Sequence, residues 1–160
     1  MTKRYYSGVG MREPEQEADA VIARFAKQAA ADGFVLRTAK GKGVDRLFVT
    51  HHDGDKELIK DKLVPPPRAY EIAERHHGAW DLCDDRARKL HAMNVMIYLG
   101  PSLDSPVSFN LVWSPADIDS PGGSALGMRV CREFGIETFN LRNPLSVELF
   151  ARWYDEKLSK

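Results

Sequence analysis

The chain has 160 residues, enough for one domain with a proper core and short for two. Lysine plus arginine balance aspartate plus glutamate at 23 each, so no global positive field is present to hold a nucleic-acid backbone, and only a local basic patch could serve that role. Although 43% of the residues are hydrophobic, no apolar run approaches the roughly 18 residues of a membrane span, and no signal-peptide core follows Met1; the expectation is a soluble, cytoplasmic protein with no membrane partner.

Arg4 to Gly8 is a strand candidate that runs into Val9-Gly10-Met11-Arg12, where Gly8 and Gly10 permit a tight turn. The turn is either a plain strand-to-helix connection or a phosphate-approach loop with Arg12 beside it. Pro14 and Glu15 open a helix over about 15–32, because Ala18, Val21, Ile22, Phe25, Ala26 and Ala29 recur at helical spacing and form one apolar stripe. Gly33 stops it, and Phe34 to Thr38 forms a second strand. Strand, helix and strand with short connections make a parallel βαβ unit. A second glycine-bearing turn, Thr38 to Asp45, carries Lys40 and Lys42, which could meet an anion, and leads into a short helix with Leu47, Phe48 and Val49. Asp45 reads as the cap of that helix, the commoner role, or as a partner for a ribose hydroxyl.

His51-His52-Asp53-Gly54-Asp55 reads as a polar turn and not as a metal site: adjacent histidines point apart, and no spaced histidine or cysteine completes a shell. Cys83 and Cys131 likewise have no companion at metal-ligand spacing. Both read as reduced thiols, with Cys131 buried in an apolar helical pattern. Lys56 to Lys60 is a short, charged strand candidate, and Leu63 to Pro67 is a rigid, non-helical connection. Helices follow over Ala69 to His77 and Asp84 to Tyr98, the second with Ala87, Leu90, Met93 or Asn94, and Ile97 on one face. His76, His77 and His91 read as surface or satisfied core groups ahead of acid–base catalysts. Asn94, on or near the apolar face, needs polar partners, so it links elements or contacts ligand.

Val107 to Trp113 reads as a buried strand. Beyond Ser120-Pro121 come Gly122, Gly123 and Ser124, opening a helix that runs to Phe134. This is where an α/β protein binds phosphate: glycines let the backbone approach a ligand, and unpaired N–H groups of the first turn point at an anion. The alternative is an ordinary connection. Ile136 to Leu141 is the last strand. Pro144 to Leu158 closes the chain as a helix whose aromatic and aliphatic residues are either core or an interface for self-association. The pattern is α/β, a mainly parallel sheet flanked by helices in one domain over 1–160.

Four segments together resemble the small, largely phage-borne members of the SLOG superfamily: Tyr6 to Arg12, Leu36 to Asp45, Trp80 to Gly100 with Leu90 to Val95 at its centre, and Trp113 followed by Gly122-Gly123. These are Rossmann-like three-layer sandwiches that include DprA-like DNA-processing proteins and LOG phosphoribohydrolases. The resemblance places the family's Gly-Ile-Gly-Ser-Arg loop on Gly8 to Arg12. It places an Arg-Ser-Gly-Gly-Ala-x-Gly-Ala-Asp segment on Arg37 to Asp45, with Ala39 and Lys40 where adjacent glycines are usual. A Gly-Gly-Thr-Gly turn falls on Gly122 to Ala125. The Glu that assists N-glycosidic cleavage in the LOG motif falls on Arg129, which stays protonated and cannot act as a base at neutral pH, though it can grip phosphate or carboxylate.

The resemblance implies a nucleotide-type ligand, with Gly8, Gly10, Gly122, Gly123 and Ser124 contacting phosphate and Arg12, Arg37, Lys40 and Arg129 adding charge. Asp45 would contact ribose, and Trp113 or Trp80 would stack on a base. No metal and no obligatory cofactor is expected. By analogy with SLOG domains of bacterial immune systems, a phage protein of this kind would sequester an NAD-derived or cyclic nucleotide signal, acting in a bacterium or in the phage's host cell. Two alternatives stand beside capture. One is an enzyme cleaving an N-glycosidic or phosphoester bond with Asp45, Asp117, Asp119 or His91. The other is a DprA-like DNA-binding recombination mediator. SLOG relatives often pair, which implies a homo-oligomer.

Overall fold

A computed structural model describes residues 2–158; Met1, Ser159 and Lys160 of the expected 1–160 domain lie outside the described residues. The chain alternates strands and helices: β1 (Arg4–Gly10), α1 (Glu17–Ala31), β2 (Phe34–Ala39), α2 (Val44–His51), β3 (Lys56–Ile59) and α3 (Pro67–His76). A 3-10 turn (Trp80–Leu82) then precedes α4 (Asp85–Leu99), β4 (Phe109–Trp113), α5 (Gly123–Glu133), β5 (Glu137–Asn140) and α6 (Pro144–Lys157). The strands form one five-stranded sheet in the order β3-β2-β1-β4-β5, and every pairing is parallel. With six helices flanking this sheet, the molecule is a Rossmann-like three-layer α/β sandwich.

Strand alternation sorts the side chains into two cores. Tyr6, Phe34, Leu36, Phe109 and Leu111 face the layer of α1, α2 and α6, where they meet Ile22, Phe25, Phe48, Phe150 and Tyr154. Val9, Ile59 and Val112 face the other layer, with Ile72 of α3, Met96 of α4 and Val130 of α5. Between β1 and β4, Ser7 Oγ donates to Asn110 Oδ1 at 2.7 Å, a buried polar pair at the seam where the strand order changes direction.

The expected helix over 15–32 is α1, and its stripe is buried as the spacing requires. The first strand differs from expectation. It continues through Gly8 and Gly10 to the end of the GVG run, and neither glycine has a positive φ. Both are small for packing: a Cβ at Gly8 would run into the Phe48 ring, and one at Gly10 would meet the Trp113 carbonyl and Val44. The turn comes later, after Met11.

Helix α4 also departs from a simple amphipathic reading. Val95 to Leu99 are all buried, whereas Leu90, expected on its apolar face, is 50% exposed. On α6, Phe150 and Tyr154 are core, as one reading of that helix expects, while Leu145 and Leu149 are exposed. Among the described residues no helix is long and apolar enough to cross a membrane.

Candidate functional site

At the carboxyl ends of the strands, where the order runs outward from β1 to β2 on one side and to β4 on the other, lies a cleft of about 720 Å³. Open parallel sheets bind ligands at this point because the connections from the two central strands depart to opposite faces and leave a crevice. Its floor is the end of β1, Val9 and Gly10, continued by Met11 and Arg12. One wall is the loop after β2, Lys40 to Lys42, with Asp45 of α2; the other is α4, through Leu90, His91 and Asn94, together with Gly123 and Ser124 at the start of α5.

The start of α5 opens onto this cleft. Gly122 takes φ 99° to turn the chain into the helix, and no side chain caps it. The first-turn N–H groups therefore have no intrahelical or side-chain acceptor, and the positive end of the helix dipole meets the cleft. Around it stand the cations Arg12, Lys40, Lys42 and Arg86, against the acids Asp45 and Asp61. A protein neutral overall thus concentrates positive charge at one place.

Asp45 modifies that balance. Its Oδ1 accepts the Gly10 N–H at 3.2 Å, so it bridges α2 to the end of β1 and does not cap α2, whose N-cap is Gly43. Burial pushes its carboxyl up from 3.8 to about 7, against the opposing pull of the N–H groups of Gly10 and of Asp45 itself. A carboxyl that titrates near neutrality inside a cleft can hold or release a proton there. Gly41 keeps the space beside it clear, since a Cβ at that position would stand 2.5 Å from Asp45 Oδ2.

Of the sequence-derived candidates, Gly10, Arg12, Lys40, Asp45, Gly123 and Ser124 line this cleft, while Gly8, Arg37, Trp113, Gly122 and Arg129 do not. Arg37 is 1% exposed. Its Nε lies 2.5 Å from Glu57 Oε1, its Nη atoms donate to Ser105 O and Oγ, and the guanidinium covers the Tyr5 ring at 4.2 Å. Trp113 faces the opposite core, and its indole donates to Glu15 Oε1 at 2.8 Å. Glu15, gripped by Arg142 and then by this indole, is held down at about 2. Arg129 donates to the carbonyls of His76, Ile118 and Ser120, clamping the loop before α5 to the end of α3. Trp80 is buried in the core beside α3 and α4, behind His91, and does not line the cleft. Asp117 and Asp119 sit in an exposed turn, where Asp117 Oδ1 accepts from the Asp119 N–H and Ser120 Oγ.

The structure adds Arg86 and Leu90, which pattern reading did not place at a site, and brings the candidates His91 and Asn94 to the same wall. All four line the cleft from α4; of the face read as core, Met93 and Ile97 are buried as expected while Leu90 is exposed at the cleft wall. His51 and His52 do point apart, one to Asp19 and the other to the Tyr6 hydroxyl. Cys83, without a metal-ligand spacing in the sequence, has His77 and His91 beside it in space. No protein-family model matches the chain, and no curated protein matches it in sequence.

Proposed function

We propose that this chain is a SLOG-type protein that captures a phosphorylated, nucleotide-type small molecule in the cleft between β1 and β4. The observation that carries the reading is the uncapped start of α5 lining one cleft with four cationic side chains at the reversal of strand order. Phosphate would lie against the N–H groups of Gly123 and Ser124, with Arg12 and the Lys40–Lys42 loop closing over it. Leu90, Met93 and Ile97 offer the apolar surface for a base. The volume of about 720 Å³ lies within the roughly 300–1,000 Å³ of small-molecule sites.

The test is mass spectrometry of small molecules released by denaturing the protein after incubation with nucleotides, cyclic and NAD-derived species included. Stoichiometric recovery of an intact nucleotide supports capture. Gly123→Trp should abolish binding and leave the fold intact, because a Cβ there meets only Asn94 Nδ2, at 3.5 Å. Arg12→Ala should weaken binding. Unchanged affinity in both variants would reject the cleft.

A second reading, hydrolysis of an N-glycosidic or phosphoester bond, is favoured by one observation: the Asp45 carboxyl, titrating at about 7, lines the cleft together with His91. Recovery of free base or sugar phosphate in the same experiment, lost in Asp45→Asn, would select it.

A further inference from the structure

Beside the cleft, three side chains with metal-binding atoms converge. His77 follows the last turn of α3, Cys83 follows the 3-10 turn, and His91 lies in the second turn of α4. One ligand atom from each lies within 4.8 Å of the others. The imidazoles of His77 and His91 are 4.5 Å apart between centroids, and Cys83 Sγ is 3.7 Å from His77 Nε2. Zinc–nitrogen bonds of ~2.0–2.1 Å and zinc–sulfur bonds of ~2.3 Å in a tetrahedron set neighbouring ligand atoms about 3.3–3.8 Å apart. The Cys83–His77 separation already meets that spacing, and small rotations of the His91 ring close the rest.

The state of each ligand fits as well. His91 Nδ1 is buried and has no hydrogen-bond partner. His77 Nδ1 accepts the Ala79 N–H at 3.0 Å. Coordination through Nε2 would move the ring proton to Nδ1 and turn that N–H toward water, a small cost because Ala79 is exposed. Cys83 Sγ hydrogen-bonds with the Ala79 carbonyl, at 3.7 Å, and with that ring.

We infer that His77, Cys83 and His91 form a binding site for a zinc-class divalent ion, with a fourth position left to water. Two imidazoles and a thiolate are a borderline-soft donor set that selects zinc or cobalt over magnesium or calcium. Binding displaces the Cys83 thiol proton to solvent, so uptake releases a proton and weakens as pH falls. His91 lines the cleft too, which places the ion at its α4 edge. The site does not depend on the identity of the cleft's small molecule.

The full chain, stripped with chelator, is titrated with zinc against a chromophoric competitor and, separately, with cobalt. One equivalent of zinc is expected, and cobalt should give a thiolate charge-transfer band with the strong visible absorption of a tetrahedral ion. Cys83→Ser should remove the charge-transfer band, and both it and His77→Ala should weaken zinc binding at least about 100-fold, more than the loss of an outer-shell partner costs. Zinc should also protect Cys83 of the unaltered chain from alkylation, a readout independent of any variant's folding and specific because Cys131 is wholly buried. No stoichiometric uptake, or cobalt binding without a thiolate band, or equal alkylation with and without zinc would overturn the assignment.

Discussion

Replacing Asp45 with asparagine isolates the cost of burying a carboxylate in the cleft. The folded carboxyl titrates at about 7 and the unfolded one at 3.8, so between these values the native state holds a proton that the unfolded chain has lost. Stability therefore falls as pH rises through this window: the contribution is fully present below 3.8 and lost by the time pH passes about 7. At ~1.4 kcal/mol per tenfold, the whole difference is on the order of 4 kcal/mol, and about 2.5 kcal/mol of it falls between about pH 5 and about pH 8. Asparagine retains an oxygen for the Gly10 N–H but carries no charge. Urea unfolding of both proteins at the two pH values should show the variant gaining about 2.5 kcal/mol on the parent at the higher one. Any constant effect of the amide cancels in this double difference. Parallel stability profiles would mean that Asp45 is solvated and ordinary, and the proton-holding role would fall with it.

Other perturbations separate the cleft from its supports. Arg37→Met should cost about 3 kcal/mol, the low end for breaking a buried ion pair since Glu57 can rehydrate, while nucleotide affinity under native conditions stays unchanged; a loss of affinity would return Arg37 to the ligand. Gly10→Ala should destabilise by about 2–3 kcal/mol in denaturant titration, because the new methyl meets the Trp113 carbonyl and Val44. For Arg129→Met, hydrogen exchange should accelerate in residues 116–122 with a stability loss of about 2 kcal/mol; unchanged exchange would show that the guanidinium does not hold the loop.

The order of strands and helices was legible because helices such as α1 carry a 3.6-residue stripe and strands such as β2 and β4 a short apolar run, though α4 does not fit that simple pattern. The parallel sheet followed from their alternation. What stayed hidden was direction. Glycine is the turn residue by default, yet Gly8 and Gly10 are strand residues whose missing side chains admit Phe48 and Val44, and the sequence does not mark who will pack on whom. Arg37 and Trp113 have the chemistry of ligand contacts, but tertiary partners, Glu57 with Ser105 and Glu15, claim their polar atoms. His77, Cys83 and His91 are unremarkable at their spacing. They meet only because the 3-10 turn doubles the chain back between α3 and α4.

The Arg129 clamp has a consequence for the rate of encounter. Its guanidinium fastens the approach to α5 through the carbonyls of Ile118 and Ser120, and anchors both to the end of α3 through His76. The conformational freedom of that loop is given up when the protein folds and not when a ligand arrives. On the proposed function, an incoming phosphate would meet donors already aimed at it. Association should then be governed by diffusion and by the local positive field, slowing with added salt, and not by a waiting time for the loop to assemble.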